Sequence, residues 1–184
     1  MDKRRRRTSI IVTLIVLLFI GGFVALVLVD RSQKAASTPP EGVESFSNLS
    51  RNHTTNPVSY PQSPPVGGDH NPVWQNCGFY DKPIQNENGV HSLEHGAVWI
   101  TYQPDLPSEQ VDTLRKLAQS QDYILVSTYP DLPAPVVASA WGKQLQLDST
   151  NDPRLEQFVS AFRLGPQTQE PGAPCTAGIG EPSR

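Results

Sequence analysis

The sequence contains one methionine, which is the initiator, and two cysteines among its 184 residues. It has one long apolar run, which excludes a polytopic transporter, and its length excludes a large multidomain enzyme. It also lacks a Gly-rich phosphate loop and a G-x-S-x-G nucleophile elbow. No patch of Lys and Arg alternates with aromatic residues, so nucleic acid is not an expected partner.

The apolar run is residues 10–29, of which 17 of 20 are apolar. At about 1.5 Å per helical residue it spans roughly 30 Å, the thickness of the hydrocarbon layer. Residues 1–9 carry five basic side chains and one acidic one. Basic residues before a span stay in the cytoplasm, so we predict a single-pass transmembrane helix in the cell membrane with the remaining chain extracytoplasmic. A cleaved signal peptide is the alternative, with a small-residue site at 35–37, but its apolar core is typically shorter.

The rest of the chain divides by composition. Residues 30–50 read as a linker, 51–175 as one extracytoplasmic domain and 176–184 as a tail. Within the domain, residues 51–90 are rich in Pro, Gly and Asn, which disfavours long regular elements. Because this segment also contains four aromatic residues, we expect it to pack against a face or an edge of the regular core.

The regular core is expected after residue 96. Asp152 and Pro153 are typical of the start of a helix, which Gly165 and Pro166 then end. β-Branched, aromatic and alternating patterns predict strands, and an amphipathic pattern predicts one more helix. The predicted strands are 97–102, 123–129 and 136–141, the alternating residues 143–148 are expected to continue the third past Gly142 as a bend or hairpin, and the additional helix begins at 108. The order β-α-β-β-α favours an α+β fold, a small, mostly antiparallel sheet with two helices on one face.

The two cysteines, Cys77 and Cys175, are expected to pair if the domain lies in an oxidising compartment. A bridge between them would close a loop of about 100 residues, which the chain-entropy model values at about 4–5 kcal/mol. The alternative is that Cys77 is a thiolate ligand for a metal near the histidines. We favour the disulfide.

All four histidines lie in the first part of the domain: His53, His70, His91 and His95. The last two belong to the sequence HSLEHG, in which positions i and i+4 of a helical turn share a face and can bind one ion. A histidine near a helix C-terminus also has the simpler role of offsetting the helix dipole. The spacing favours a metal site formed by His70, His91 and His95. Glu94 or His53 would be a fourth ligand or would hydrogen-bond to one of the ligands.

The ion is expected to be copper or zinc. Imidazole and carboxylate ligands suit Zn²⁺ and Cu²⁺, whereas a thioether site for Cu⁺ would need methionines that the domain lacks. The letters of residues 91–95 also match H-x-x-E-H, in which a glutamate acts as the base of a zinc hydrolase. That motif normally sits on a long helix, whereas Gly96 and a predicted strand follow here.

Several longer motifs resemble a bacterial family of membrane-anchored proteins known as a domain of unknown function. They are Tyr60-x4-Pro65-x2-Gly68-x-His70, Cys77-Gly78-x-Tyr80, HSLEHGAVWITY at 91–102 and Ala140-Trp141-Gly142. The family usually has Thr-Ser-Gly-Pro-His where this chain has Val-Gly-Gly-Asp-His at 66–70. The resemblance covers most of 50–175 and implies one anchor and one domain, with no activity to carry over. The matched positions are His53, His70, Cys77, His91, Glu94 and His95.

The sequence therefore predicts a membrane-tethered extracytoplasmic domain that holds copper or zinc and is not an enzyme. A second interpretation is a structural or assembly partner of a membrane complex, in which the histidines only pack and form hydrogen bonds. A third is a metal-dependent hydrolase that uses Glu94 as its base. The mutual distances of the four imidazole rings in the folded chain are the observation that bears most directly on metal binding.

Overall fold

The computed structural model describes the C-terminal four-fifths of the chain and a few residues before it. The described residues are 12, 13, 16–18, 20–23 and 38–183. Residues 1–9, most of 10–29 and the first part of the linker therefore lie outside the described residues. Those described before residue 38 are helical, and no described helix is both long and apolar enough to cross a membrane.

Residues Thr38–Arg184 form one compact unit. Among its described residues, six strands form one sheet and three helices pack on it. The strands are β1 (Glu44–Ser45), β2 (Gly78–Phe79), β3 (Val98–Tyr102), β4 (Ile124–Thr128), β5 (Val136–Ala140) and β6 (Lys143–Leu147). The helices are α1 (Asn86–Glu94), α2 (Ser108–Ser120) and α3 (Pro153–Phe162). The compact unit thus reaches beyond the predicted 51–175 on both sides.

The sheet is mixed, in the order β1-β6-β5-β3-β4-β2. The pairs β1–β6, β6–β5 and β5–β3 are antiparallel, whereas β3–β4 and β4–β2 are parallel. Helix α2 causes the first parallel pair, because it carries the chain back so that β4 runs beside β3 in the same direction. The α+β class is confirmed, and the sheet is mixed, with three antiparallel pairs and two parallel ones that the sequence did not predict.

One face of the sheet carries α2 and α3. Alternate residues of β3, such as Val98 and Ile100, share a buried apolar cluster with Leu114 of α2 and Phe158 of α3. Asp152 accepts a hydrogen bond from the backbone N–H of Arg154 at 2.9 Å and so caps α3, as predicted. This face is an apolar core, and neither group of His and carboxylate side chains that the described residues bring together lies on it.

The opposite face carries α1 and the Pro/Gly-rich segment. Trp99 and Leu125, which point away from the first core, pack with Val90 and Leu93 of α1. Three aromatic residues pack in the same cluster: Tyr60, Tyr80 and Trp141. Their burial explains how a segment with little regular structure stays ordered, because aromatic side chains provide large apolar contact areas.

Cys77 and Cys175 form the predicted disulfide, with their Cα atoms 5.4 Å apart. The N–H of Cys77 also donates to the carbonyl of Cys175 at 2.8 Å. Further along the tail, Ile179 and Ser183 form bridges with Gln75 and Phe79. The tail is therefore attached to the sheet edge, and Cys77 has no thiolate to offer a metal.

We predict that Gly89→Ala destabilises the domain. A Cβ at this helical position would lie 2.8 Å from the ring of Trp99, which is fully buried and donates to Ser127 at 3.0 Å. We expect the free energy of unfolding to fall by about 1–3 kcal/mol, measured by urea denaturation. Helix propensity alone would instead raise it by about 1 kcal/mol, so an increase would contradict this packing. Gln119→Ala, at an exposed position of α2, serves as the control.

Candidate metal centre

Helix α1 is buried from Asn88 to Glu94, although four of these seven residues are polar. The segment before it supplies partners for two of those polar side chains. Asn88 donates its side-chain amide to the carbonyl of Val73 at 2.5 Å, and Ser92 donates its hydroxyl to that of Gln75 at 2.7 Å. The predicted helical turn at 91–95 is thus the end of a nine-residue helix embedded in its own preceding loop.

The end of α1 delivers three functional side chains. His91 and Glu94 lie in its last turn, and His95 follows at the C-cap. Gly96 then adopts a φ of +99°, and the chain turns into β3. A Cβ at Gly96 would lie 2.8 Å from the hydroxyl oxygen of Thr168, so this turn also requires glycine for space.

His70 reaches the same place from the loop at 66–70. Gly67 and Gly68 have φ values of +148° and +119°, which allow the backbone to turn sharply before His70. The N–H of Gly142 donates to the carbonyl of Val66 at 2.7 Å, so this loop rests on the turn after Trp141. The His70 ring then meets Trp141 edge-on at 5.9 Å and is fully buried.

His53 is held beside His70 by backbone pairing. The N–H of Thr54 donates to the carbonyl of His70 at 2.8 Å, and the N–H of His70 donates to the carbonyl of Asn52 at 3.0 Å. Asp69 accepts a further bond from the Asn52 side chain at 3.0 Å. Hydrogen bonds from Ser50 first and then from Asn52 lower the pKa of Asp69. His53 itself is exposed, so it borders the cluster on the solvent side.

The rings of His53, His70 and His91 form a triangle, with centroids 4.8–5.0 Å apart. Glu94 completes the group, because its Oε2 lies 2.8 Å from Nε2 of His70. One ligand atom from each of these four residues lies within 4.8 Å of every other. The structure thus brings together four of the five predicted ligands.

A second group combines His91 and His95 with Glu170, again with ligand atoms within 4.8 Å. His95 therefore joins His91 but does not belong to the group that contains His70, which differs from the set expected first. Glu170 comes from the tail and is positioned because its N–H and that of Gln169 both donate to the carbonyl of Glu94. Its Oε2 lies 3.5 Å from Nε2 of His95.

Backbone carbonyls fix the tautomer of three rings. Nδ1 of His70, His91 and His95 lies 2.8, 2.6 and 2.7 Å from the carbonyls of Gly68, Asn71 and Pro174 respectively. Because a carbonyl only accepts, each Nδ1 carries a hydrogen and each neutral ring keeps its lone pair on Nε2. Donation of the remote ring N–H to a carbonyl is the usual support of metal-binding imidazoles.

The pair His70 and Glu94 shows why a cation fits here. Nε2 of His70 is buried without a hydrogen-bond partner, yet it lies 2.8 Å from the carboxylate of Glu94. Two lone-pair atoms at that distance repel unless a proton or a metal ion lies between them. On its other oxygen, Glu94 accepts a hydrogen bond from Nε of Arg51 at 2.6 Å.

Two residues of the site, Arg51 and Glu170, were not predicted from the sequence, because neither lies at a spacing from the histidines that indicates a shared site.

Small adjustments would bring these distances to those of metal coordination: the 2.8 Å contact between His70 and Glu94 must lengthen, and the longer separations must shorten. Tetrahedral zinc with bonds of 2.0–2.1 Å needs ligand atoms about 3.3 Å apart, and the first group holds its atoms within 4.8 Å. The exposed His53 has room to move, whereas the other three ligands are fixed by their contacts. Four donors satisfy the usual coordination number of zinc.

Burial lowers the pKa of His91 to about 4. Its bond to the carbonyl of Asn71 opposes that change, whereas the nearby imidazoles of His95, His70 and His53 add to it. The ring of His91 is therefore neutral at pH 7 and keeps the Nε2 lone pair that a metal needs.

The fold and the site together define a class of protein: an α+β domain that carries a largely buried cluster of histidine and glutamate side chains on one face of its sheet. Residues 52–177 match the family model described as a protein of unknown function, DUF3105. Since the match covers more than half of the chain, the protein belongs to this family, which is an uncharacterised domain family. No curated protein and no solved structure matches the chain.

We predict that the metal-free domain loses stability as the pH falls from about 6.5 towards about 4. Since the pKa of His91 is lower in the folded chain than in the unfolded chain, its contribution is fully present above about 6.5. The contribution of His91 to the free energy of unfolding falls by about 3 kcal/mol once the ring is protonated in both the folded and the unfolded chain. Urea unfolding of chelator-treated residues 38–184 at pH 7 and pH 4 measures the loss.

His91→Asn isolates that effect, because the amide nitrogen takes roughly the place of Nδ1 and does not titrate. The stability of this variant should depend less on pH than that of the parent. Equal pH dependence in the two proteins would contradict the assignment to His91.

Proposed function

We propose that the domain binds one Cu²⁺ or Zn²⁺ ion through His53, His70, His91 and Glu94. One observation carries the proposal: Nε2 of buried His70 lies 2.8 Å from a carboxylate oxygen of Glu94, a contact that needs a positive charge between the two lone pairs, and the other oxygen of Glu94 is already bound. Imidazole and carboxylate donors suit both ions, and the order of divalent affinities favours Cu²⁺.

The donor count favours holding an ion over metal-dependent hydrolysis. A catalytic zinc keeps a coordination position for water, whereas four protein donors close a tetrahedral shell. Glu94 also serves poorly as a free base, because Arg51 and His70 contact both of its oxygens. The function supported best is therefore capture or delivery of a metal ion.

We further propose that residues 10–29 anchor the domain and place it outside the cytoplasm. The basic residues at 1–9 support the orientation. The disulfide between Cys77 and Cys175 supports an oxidising compartment, because such bonds are rare in the cytosol. The ion would then be held close to the membrane surface.

Metal titration of residues 38–184 tests the binding. This fragment contains the complete sheet, the three described helices and the disulfide. We expect one ion per chain with Cu²⁺ bound more tightly than Zn²⁺, measured against a competing chelator. His70→Asn, which preserves a nitrogen near Nδ1, should weaken binding about tenfold or more.

Ser92→Ala is the matched control, because Ser92 is buried on the same helix and bonds to a carbonyl but is not in either ligand group. It should retain the parental affinity. Absence of binding at micromolar free Cu²⁺ and Zn²⁺, or unchanged affinity in His70→Asn, would overturn the metal proposal.

Fractionation tests the anchor. The full chain should remain with membranes after an alkaline wash, and the fragment of residues 38–184 should stay soluble, because only the former contains the apolar run at 10–29. The intact mass then shows whether the chain begins at its first residue. Release of the full chain by the wash, or loss of the segment before 38, would contradict a retained anchor.

A further inference from the structure

The two ligand groups share one residue, and this restricts how they can be used. His91 belongs to both groups, but Nδ1 donates to the carbonyl of Asn71, so only Nε2 is free for a metal. A single lone pair binds one ion at a time. The first position (His53, His70, His91 and Glu94) and the second position (His91, His95 and Glu170) are therefore alternatives for one ion.

The two positions are adjacent. The His91 ring lies 4.8 Å from that of His70 and 4.5 Å from that of His95, measured between centroids. Since both groups use Nε2 of His91, an ion can pass from one set of partners to the other while it stays bound to that atom. Arg51 lies between their carboxylates, 2.6 Å from Glu94 and 3.9 Å from Glu170, so its charge balances both.

The positions differ in what they leave open. The first has four protein donors and no vacancy for an incoming ligand, whereas the second has three and leaves a tetrahedral ion one free position. The carboxylate donor of the second is also accessible, since the Glu170 side chain is 43% exposed, against 2% for Glu94. Transfer by ligand exchange requires such a free position, because the acceptor binds before the protein ligands leave.

We propose that the second position is the transfer point, to which the ion moves from the first while His91 remains bound. This deepens the proposed function and rests on it. The ion stays divalent throughout: bonds to His53, His70 and Glu94 are replaced by bonds to His95 and Glu170, and then by donors of the acceptor. The acceptor is a molecule that presents nitrogen or sulfur donors to the free position.

Stopped-flow release of Zn²⁺ from the loaded full chain to the chromophoric chelator 4-(2-pyridylazo)resorcinol tests the route. Glu170→Gln removes a donor only from the second position, so its affinity should stay within about twofold of the parent. Its release should nevertheless slow about tenfold or more, because the ion reaches the transfer point less often. Glu181→Gln makes the same chemical change at an exposed tail position and should release zinc at the parental rate.

His53→Asn removes a donor only from the first position and should have the opposite effect, with weaker binding and faster release. His95→Asn should reproduce the slow release of Glu170→Gln, which gives a second variant of the same position. Parental or faster release from Glu170→Gln, or two zinc ions per chain, would overturn the transfer proposal while leaving metal binding intact. A parent chain that binds no zinc would instead overturn the proposed function itself.

Discussion

Three buried imidazoles each donate Nδ1–H to a backbone carbonyl, and the candidate centre depends on those three hydrogen bonds. The accepting carbonyls are those of Gly68 and Asn71, in the loop before α1, and of Pro174, in the tail. Each bond satisfies a polar group that burial would otherwise penalise, and each leaves the lone pair on Nε2. The same contacts that make the buried rings tolerable therefore also prepare them to bind a cation.

The fold serves this arrangement by dividing its faces. The side with α2 and α3 is an apolar core, whereas the side with α1 buries a polar helix under a loop-rich cover. The disulfide then attaches the tail that supplies Glu170 and the carbonyl of Pro174. A metal ion would stabilise the folded state further, because the unfolded chain does not hold these donors together.

Local patterns explain which elements could be anticipated. The N-cap and the apolar stripe of helix α3 predict that helix. The β-branched runs predict the long strands. The first half of α1 could not be predicted, because Asn86, Asn88 and Gly89 are poor helix formers, and hydrogen bonds to residues 71–75 in the folded chain offset that preference. The parallel pairing of β3 and β4 was available from the helix between them but was overlooked.

The sequence by itself determined the α+β class, the disulfide pair, and the closeness of His91, Glu94 and His95, because short-range spacing along a helix sets their geometry. Only the tertiary structure decided which donors share an ion. His53 joins His70 through a backbone bridge, and Glu170 joins His95 through a tail fixed to α1. Coordination depends on distances of a few ångströms between segments far apart in the chain, and hydrogen bonds formed only after folding set those distances.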